Sequence, residues 1–141
     1  MRYSWLVAKR WYYAHKDTEE PLRSLFGSDP PHPSLGLGDV EFVALDIETT
    51  GLDAATADML SVGWVIVRGT RVDLRTAESY IVQPSGDVGH SASVHGLTDS
   101  MVGLGHNWGV ILDKIVAALT GRVLLVHHAG LDKTLLDRMS K

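Results

Sequence analysis

From Val40 onward, apolar runs alternate with short polar breaks, and their periods separate strands from helices. Phe42 to Ile47 is an apolar run that ends in acid, the pattern of a strand at the centre of a sheet. Met59 to Val67 is a second strand-like run, Arg68-Gly69-Thr70 is a turn, and Arg71 to Val82 is a third strand with partial alternation. The second and third runs predict an antiparallel hairpin. Pro84 to Gly89 reads as a loop. Between Asn107 and Gly121, the residues Trp108, Ile111, Leu112, Ile115 and Leu119 fall at helical spacing, with Asn107 as N-cap and Gly121 as stop. Val123 to Val126 is wholly aliphatic and predicts a fourth strand buried on both faces. A second helix is expected from about Gly130 to Met139, with Leu131, Leu135 and Met139 on one side. The order β-β-β-α-β-α makes the fold class α/β, with a mixed sheet and helical crossovers.

The chain ahead of Val40 has a different texture. Residues 1–26 form an N-terminal appendage in which Trp5, Leu6, Trp11, Tyr12 and Tyr13 are interleaved with Lys9, Arg10, His15 and Lys16. Such a mixture suits either packing on the following domain or stacking on a single nucleic-acid strand, and packing is the expectation. Pro21 can open a helical turn that runs through Phe26. Residues 27–38 hold three prolines and three glycines, which predicts a linker without regular structure. Residues 39–141 are then the folded domain.

Composition narrows the class of molecule. With 141 residues and 45% apolar content, the chain suits one domain with a real core. It has no cysteine, which excludes disulfides and thiolate zinc sites and fits a cytoplasmic protein. The longest apolar run, Met59 to Val67, is too short to span a bilayer, so no membrane partner is expected. The first ten residues turn basic before a signal-length apolar stretch forms. The net charge of −4 would disfavour nucleic acid, except that carboxylates which hold divalent metals make a bare chain acidic.

The strongest chemical feature is Asp46-Ile47-Glu48. Residues i and i+2 of a strand face the same way, so both carboxylates project from one side while Ile47 enters the core. Two acids at the end of a central strand repel each other unless a cation joins them. Their hard oxygens suit Mg²⁺ or Mn²⁺, and a two-metal site about 3.5–4 Å across suits phosphodiester hydrolysis. A lone Asp-x-Glu is common by chance, but Thr49-Thr50-Gly51-Leu52-Asp53 follows directly. That turn offers hydroxyls and backbone N–H groups beside the acids, where a terminal sugar or phosphate can dock.

The stretch from Phe42 to Asp53 resembles the first motif of the DEDDh 3'→5' exonucleases, the family of the proofreading epsilon subunit of bacterial DNA polymerase III. Val94-His95-Gly96-Leu97-Thr98 is similar to that family's loop near the bound nucleotide, which would make His95 a substrate contact. Gly121 to Asp132 resembles the second motif, in which a buried strand delivers a His-Asn-Ala turn and an aspartate follows on the next helix. His127 takes the place of the histidine and Asp132 that of the aspartate. His128 stands where Asn is common, a departure read as an ordinary turn residue. His127 and Asp132 also satisfy the spacing of the third motif, but the aliphatic strand before them and Leu135-Leu136 after them match the second.

The resemblance implies a ribonuclease-H-like fold, incomplete at the C-terminus, and release of nucleoside monophosphates from a 3' end. Asp46 would bind both metals, Glu48 one, and Asp132 would bind directly or through water. Thr49, Thr50, Gly51, His95 and His127 would face the substrate. The third motif, with the general-base histidine and fourth acid, is absent from these 141 residues, so the chain by itself is expected to be inactive. The expected partner is a single-stranded 3' end, DNA ahead of RNA, with a DNA polymerase as a further partner in proofreading or repair. The rival readings are a non-catalytic nucleic-acid-binding or protein-interaction module that keeps the fold, and an RNA-processing exonuclease.

Overall fold

The computed structural model describes residues 10, 12, 13, 15, 20–51, 53, 55–83 and 105–139. Its elements in chain order are a short helix α1 (Leu22–Gly27), a 3-10 turn (Leu37–Asp39), and strands β1 (Glu41–Thr49), β2 (Met59–Arg68) and β3 (Arg71–Ile81). Helix α2 (Trp108–Leu119), strand β4 (Val123–Leu125) and helix α3 (Ala129–Met139) follow. The four strands form one sheet in the order β3-β2-β1-β4. β1 and β2 are antiparallel, as are β2 and β3, whereas β1 and β4 are parallel. The expected hairpin is thus present, within a three-stranded antiparallel meander. Crossing from β3 to β4 requires α2, and the mixed α/β class follows.

The period-2 pattern of β1 fixes which face is buried. Val43, Leu45, Ile47 and Thr49 are buried, and their neighbours Ala44, Asp46 and Glu48 are not. On β2 the residues opposite the first three, Ile66, Trp64 and Val62, are buried too. Ile111 and Ile115 of α2 and Leu135 of α3 cover this face and complete the core. α2 starts at Asn107, whose side chain accepts from the Gly109 N–H at 2.8 Å, and stops before Gly121 at φ +74°. Ahead of α2, the bridge between Val82 and His106 brings two backbones together. A Cβ on Gly105 would lie 2.7 Å from the Gln83 nitrogen, so only glycine fits there.

Two expectations need correction. β4 is not buried on both faces: Val123, Leu124 and Leu125 are 38%, 36% and 49% exposed. It is an edge strand among the described elements, with β1 on one side only, so aliphatic composition alone overstated its burial. The linker is not devoid of regular structure, since α1 ends at Gly27 and Leu37–Asp39 make a 3-10 turn. β3 is present as expected, with a register shift: between Trp64 and Ile66 of β2 the pairing moves from Glu78 to Asp73. There the Thr76 hydroxyl accepts from the Ile66 N–H at 2.9 Å, in place of the missing ladder carbonyl. In the appendage, Tyr13 packs on Phe26 and α1 lies against α2. The Arg10 guanidinium donates to the carbonyls of Leu25 and Ser28. Trp5, Leu6 and Trp11 fall outside the described residues.

At the end of the sheet away from Asp46, Glu41 binds two arginines. Arg68 Nε donates to Glu41 Oε1 at 2.6 Å, and Arg122 Nε donates to Oε2 at 2.7 Å. This joins the start of β1 to the end of β2 and to the turn before β4. Hydrogen bonding, first from Arg122 and then from Arg68, holds the Glu41 carboxyl below its ordinary range. Asp73 is pulled down to about 2, chiefly by Arg75.

Two outcomes follow for stability. Leu135→Ala removes a fully buried side chain under the sheet and should cost about 2–5 kcal/mol in urea unfolding. Glu41→Gln should cost less than about 1 kcal/mol at neutral pH, because the groups are partly exposed and screened. The depressed folded-state value means that this contribution is complete above the ordinary glutamate range. It is lost as pH falls through the folded value, so melting curves of the variant and the wild type should converge in acid.

Candidate active site

β1 and β4 run parallel, and the candidate acids lie at their carboxyl ends, the place where open α/β sheets hold their ligands. Asp46 and Glu48 leave the same face of β1, Asp46 exposed and Glu48 half-buried, while Ile47 between them is buried. The register places Gly63 of β2 directly opposite Asp46 and Ser61 opposite Glu48. Gly63 has no side chain, so the space beside the Asp46 carboxylate stays free. An open groove of about 630 Å³ runs there, with Asp46 and His127 together at its edge. The last parallel pair is Ala44 with Leu125, so His127 follows two residues beyond, as Asp46 does on β1.

Asp132 arrives from the next element. It sits in the first turn of α3, on the same side as Leu135, and is 5% exposed. The stripe that anchors the helix on the core thereby carries one carboxylate inward. Its Oδ2 accepts from the His128 N–H at 3.1 Å, and the His128 Nδ1 accepts from the Leu131 N–H, also at 3.1 Å. The helix entrance is thus closed by two reciprocal bonds.

The turn after β1 is bound up in its own hydrogen bonds. The Thr49 hydroxyl donates to the Gly51 carbonyl at 2.5 Å, and the Thr50 hydroxyl accepts from the Asp58 N–H at 2.8 Å. The Thr50 N–H donates to the Asp58 carbonyl at 2.9 Å. Asp53 accepts from Ala55 N–H at 3.0 Å and from the Thr56 hydroxyl at 3.1 Å. Arg138 of α3 reaches the Ala57 carbonyl and lies 3.8 Å from Asp58. These bonds give the turn a fixed shape behind the two acids, and they occupy several of the groups that the sequence had offered to a substrate. His95 lies outside the described residues.

The donor set suits a hard divalent cation: carboxylates only, with a side-chain-free position across from Asp46. Among the described residues, no three His, Asp or Glu side chains are gathered closely enough to hold one ion. Asp46 with Glu48 lies on the strand and Asp132 on the helix, and no third side chain joins either into a closed ligand set among the described residues.

The exonuclease family model, RNase_T, matches residues 43–141, which includes all three acids. The chain belongs to the DEDD-type 3'→5' exonuclease family. The PolC-type DNA polymerase III of Thermotoga maritima is 26% identical over 123 residues, which cover 85% of this chain and 8% of that protein. The PolC-type DNA polymerase III of Mycoplasmopsis pulmonis is 26% identical over 100 residues, 71% of this chain and 7% of that protein. The chain thus spans less than a tenth of the length of either relative. Escherichia coli exonuclease I in complex with a dA16 oligonucleotide has the same fold, with a TM-score of 0.61 at 16% identity. The match covers 71% of this chain and 23% of that one. A zinc-bound complex of exonuclease I with single-stranded DNA matches at a TM-score of 0.60 and 15% identity, over 71% of this chain and 23% of that one. The expected ribonuclease-H-like fold is therefore present in this exonuclease domain.

Proposed function

We propose that this domain hydrolyses phosphodiester bonds from the 3' end of a single nucleic-acid strand, DNA ahead of RNA, with Mg²⁺ or Mn²⁺. One observation carries the reading: in a chain of this family, Asp46 and Glu48 leave one face of β1 just beyond its parallel pairing with β4, and Asp132 follows β4 in the first turn of α3. Asp46 and Glu48 would hold the metals from the strand, and Asp132 would complete the set from the helix. Bound divalent ions would supply an activated water and neutralise charge on the phosphate. The residues of this chain do the rest. Thr49, Thr50 and Gly51 shape the floor on which the terminal nucleotide rests, and His127 borders the groove beside Asp46. His95 would approach the same nucleotide from its loop. The likeness to PolC-type polymerases supports a place beside a DNA polymerase, in proofreading or repair. Residues 39–141 form the exonuclease unit, and 1–26 with the linker 27–38 are accessory.

The general-base histidine and fourth acid of the third motif are not among these 141 residues, so residues 1–141 should hydrolyse far more slowly than a chain that contains them. One general base contributes about 10²–10⁴-fold. A second reading, a binding module that keeps the fold without the chemistry, is favoured by the acids not being gathered into one cluster.

Two experiments decide between these readings. Saturating Mn²⁺, about a hundredfold above Kd, should stabilise residues 1–141 by about 2.7 kcal/mol in thermal melts. Asp46→Ala should abolish the rise; an equal rise in the variant rejects the shared metal site. On a 5'-labelled oligonucleotide, a chain extended through its own reading frame to include the third motif should give a metal-dependent ladder from the 3' end. Asp132→Ala in that chain should reduce the rate at least about 10²-fold, as loss of one member of a catalytic unit does. A full ladder in the variant would remove Asp132 from the site, and no ladder in the parent would favour the binding module.

A further inference from the structure

We propose that His128 is a positioning residue for Asp132, which it holds in place by capping α3 with both its ring and its backbone. This inference rests on the reading of Asp132 as a metal-binding carboxylate. The sequence had given His128 no task, yet the structure gives it two bonds that point in opposite directions. Its Nδ1 accepts from the Leu131 N–H, one of the donors that the first turn of a helix leaves unpaired. Its own N–H donates to Asp132 Oδ2. The ring thus fixes the helix entrance on residue 128, and the same residue's backbone fixes the carboxylate.

The geometry around the pair admits little else. Gly130 lies beside the ring: a Cβ there would meet it at ordinary contact distance, 3.7 Å from His128 Cε1 and 3.9 Å from Nδ1. Asp132 is buried, and its N–H is given to the His128 carbonyl at 3.0 Å. One Asp132 oxygen accepts from the His128 N–H, which limits how the carboxylate can turn about its side chain. A capping side chain at residue 128 is therefore coupled to the direction in which Asp132 presents its charge. Partners that orient a metal ligand typically change metal affinity about 10–100-fold when removed. The requirement is for a side-chain acceptor at the cap, and Asn meets it as well as His.

The test measures Mn²⁺ affinity by calorimetry and amide hydrogen exchange without metal, on wild type, His128→Ala, His128→Asn and Asp132→Ala. His128→Ala should weaken Mn²⁺ binding at least about 10-fold and speed exchange at Leu131 and Asp132. His128→Asn should restore both to near the wild-type values. A helix cap with no bearing on the site would alter exchange and leave affinity unchanged. So wild-type affinity in His128→Ala, alongside clear loss in Asp132→Ala, overturns the positioning role alone. Wild-type affinity in Asp132→Ala overturns the metal reading of Asp132 and the positioning role with it. Failure of His128→Asn to recover affinity also counts against the cap.

Discussion

The register of β1 in the centre of the sheet is the constraint on which the site depends. Its side chains alternate between a face that packs on α2 and α3 and a face that carries Asp46 and Glu48. β2 pairs with it along all nine residues, and β4 pairs with it in parallel on the other side. A slip of one residue would send both carboxylates into the core and bring Val43, Leu45 and Ile47 out of it. The cost of burying two uncompensated charges makes that arrangement untenable. Burial of three aliphatic side chains therefore places two acids, and the proposed metal site would inherit a geometry enforced by hydrophobic packing.

The placement of Asp132 obeys the same logic through a helix. Leu135 is fully buried and sets the rotation of α3 about its axis. Asp132, three residues earlier, must then face the same way. β4, parallel to β1, leads directly into this helix, so Asp132 follows the strand that lies beside β1. Arg138 at the far end of α3 reaches back to the turn that follows β1, at Ala57 and Asp58. The Glu41 ion pairs hold the other end of the strands, where no chemistry is expected.

Most of this was legible in the sequence because it rests on short-range periodicity. The alternation in Phe42 to Thr49, the spacing of Ile111 and Ile115, and Asn107 and Gly121 as caps are local signals, and each became the element expected. The exposure of β4 was not legible: Val123, Leu124 and Leu125 read as buried, but burial depends on which strands lie beside them. The register shift of β3, where the Thr76 hydroxyl accepts from the Ile66 N–H, is set between strands and is not encoded in composition. The hydroxyls of Thr49 and Thr50 looked available and are engaged within their own turn. His128 passed as a turn residue because a histidine cap has no strong signature beside the usual Ser, Thr, Asp and Asn.

The central claim is that Asp46, Glu48 and Asp132 share one metal-binding edge of the sheet. Paramagnetic broadening of amide signals by Mn²⁺, titrated below one equivalent into ¹⁵N-labelled protein, tests it directly. The signals of Ile47, Glu48, His128 and Asp132 should fade together and first. Broadening that begins around Glu41, Asp73 or Glu78, or that reaches β1 without α3, would contradict the account.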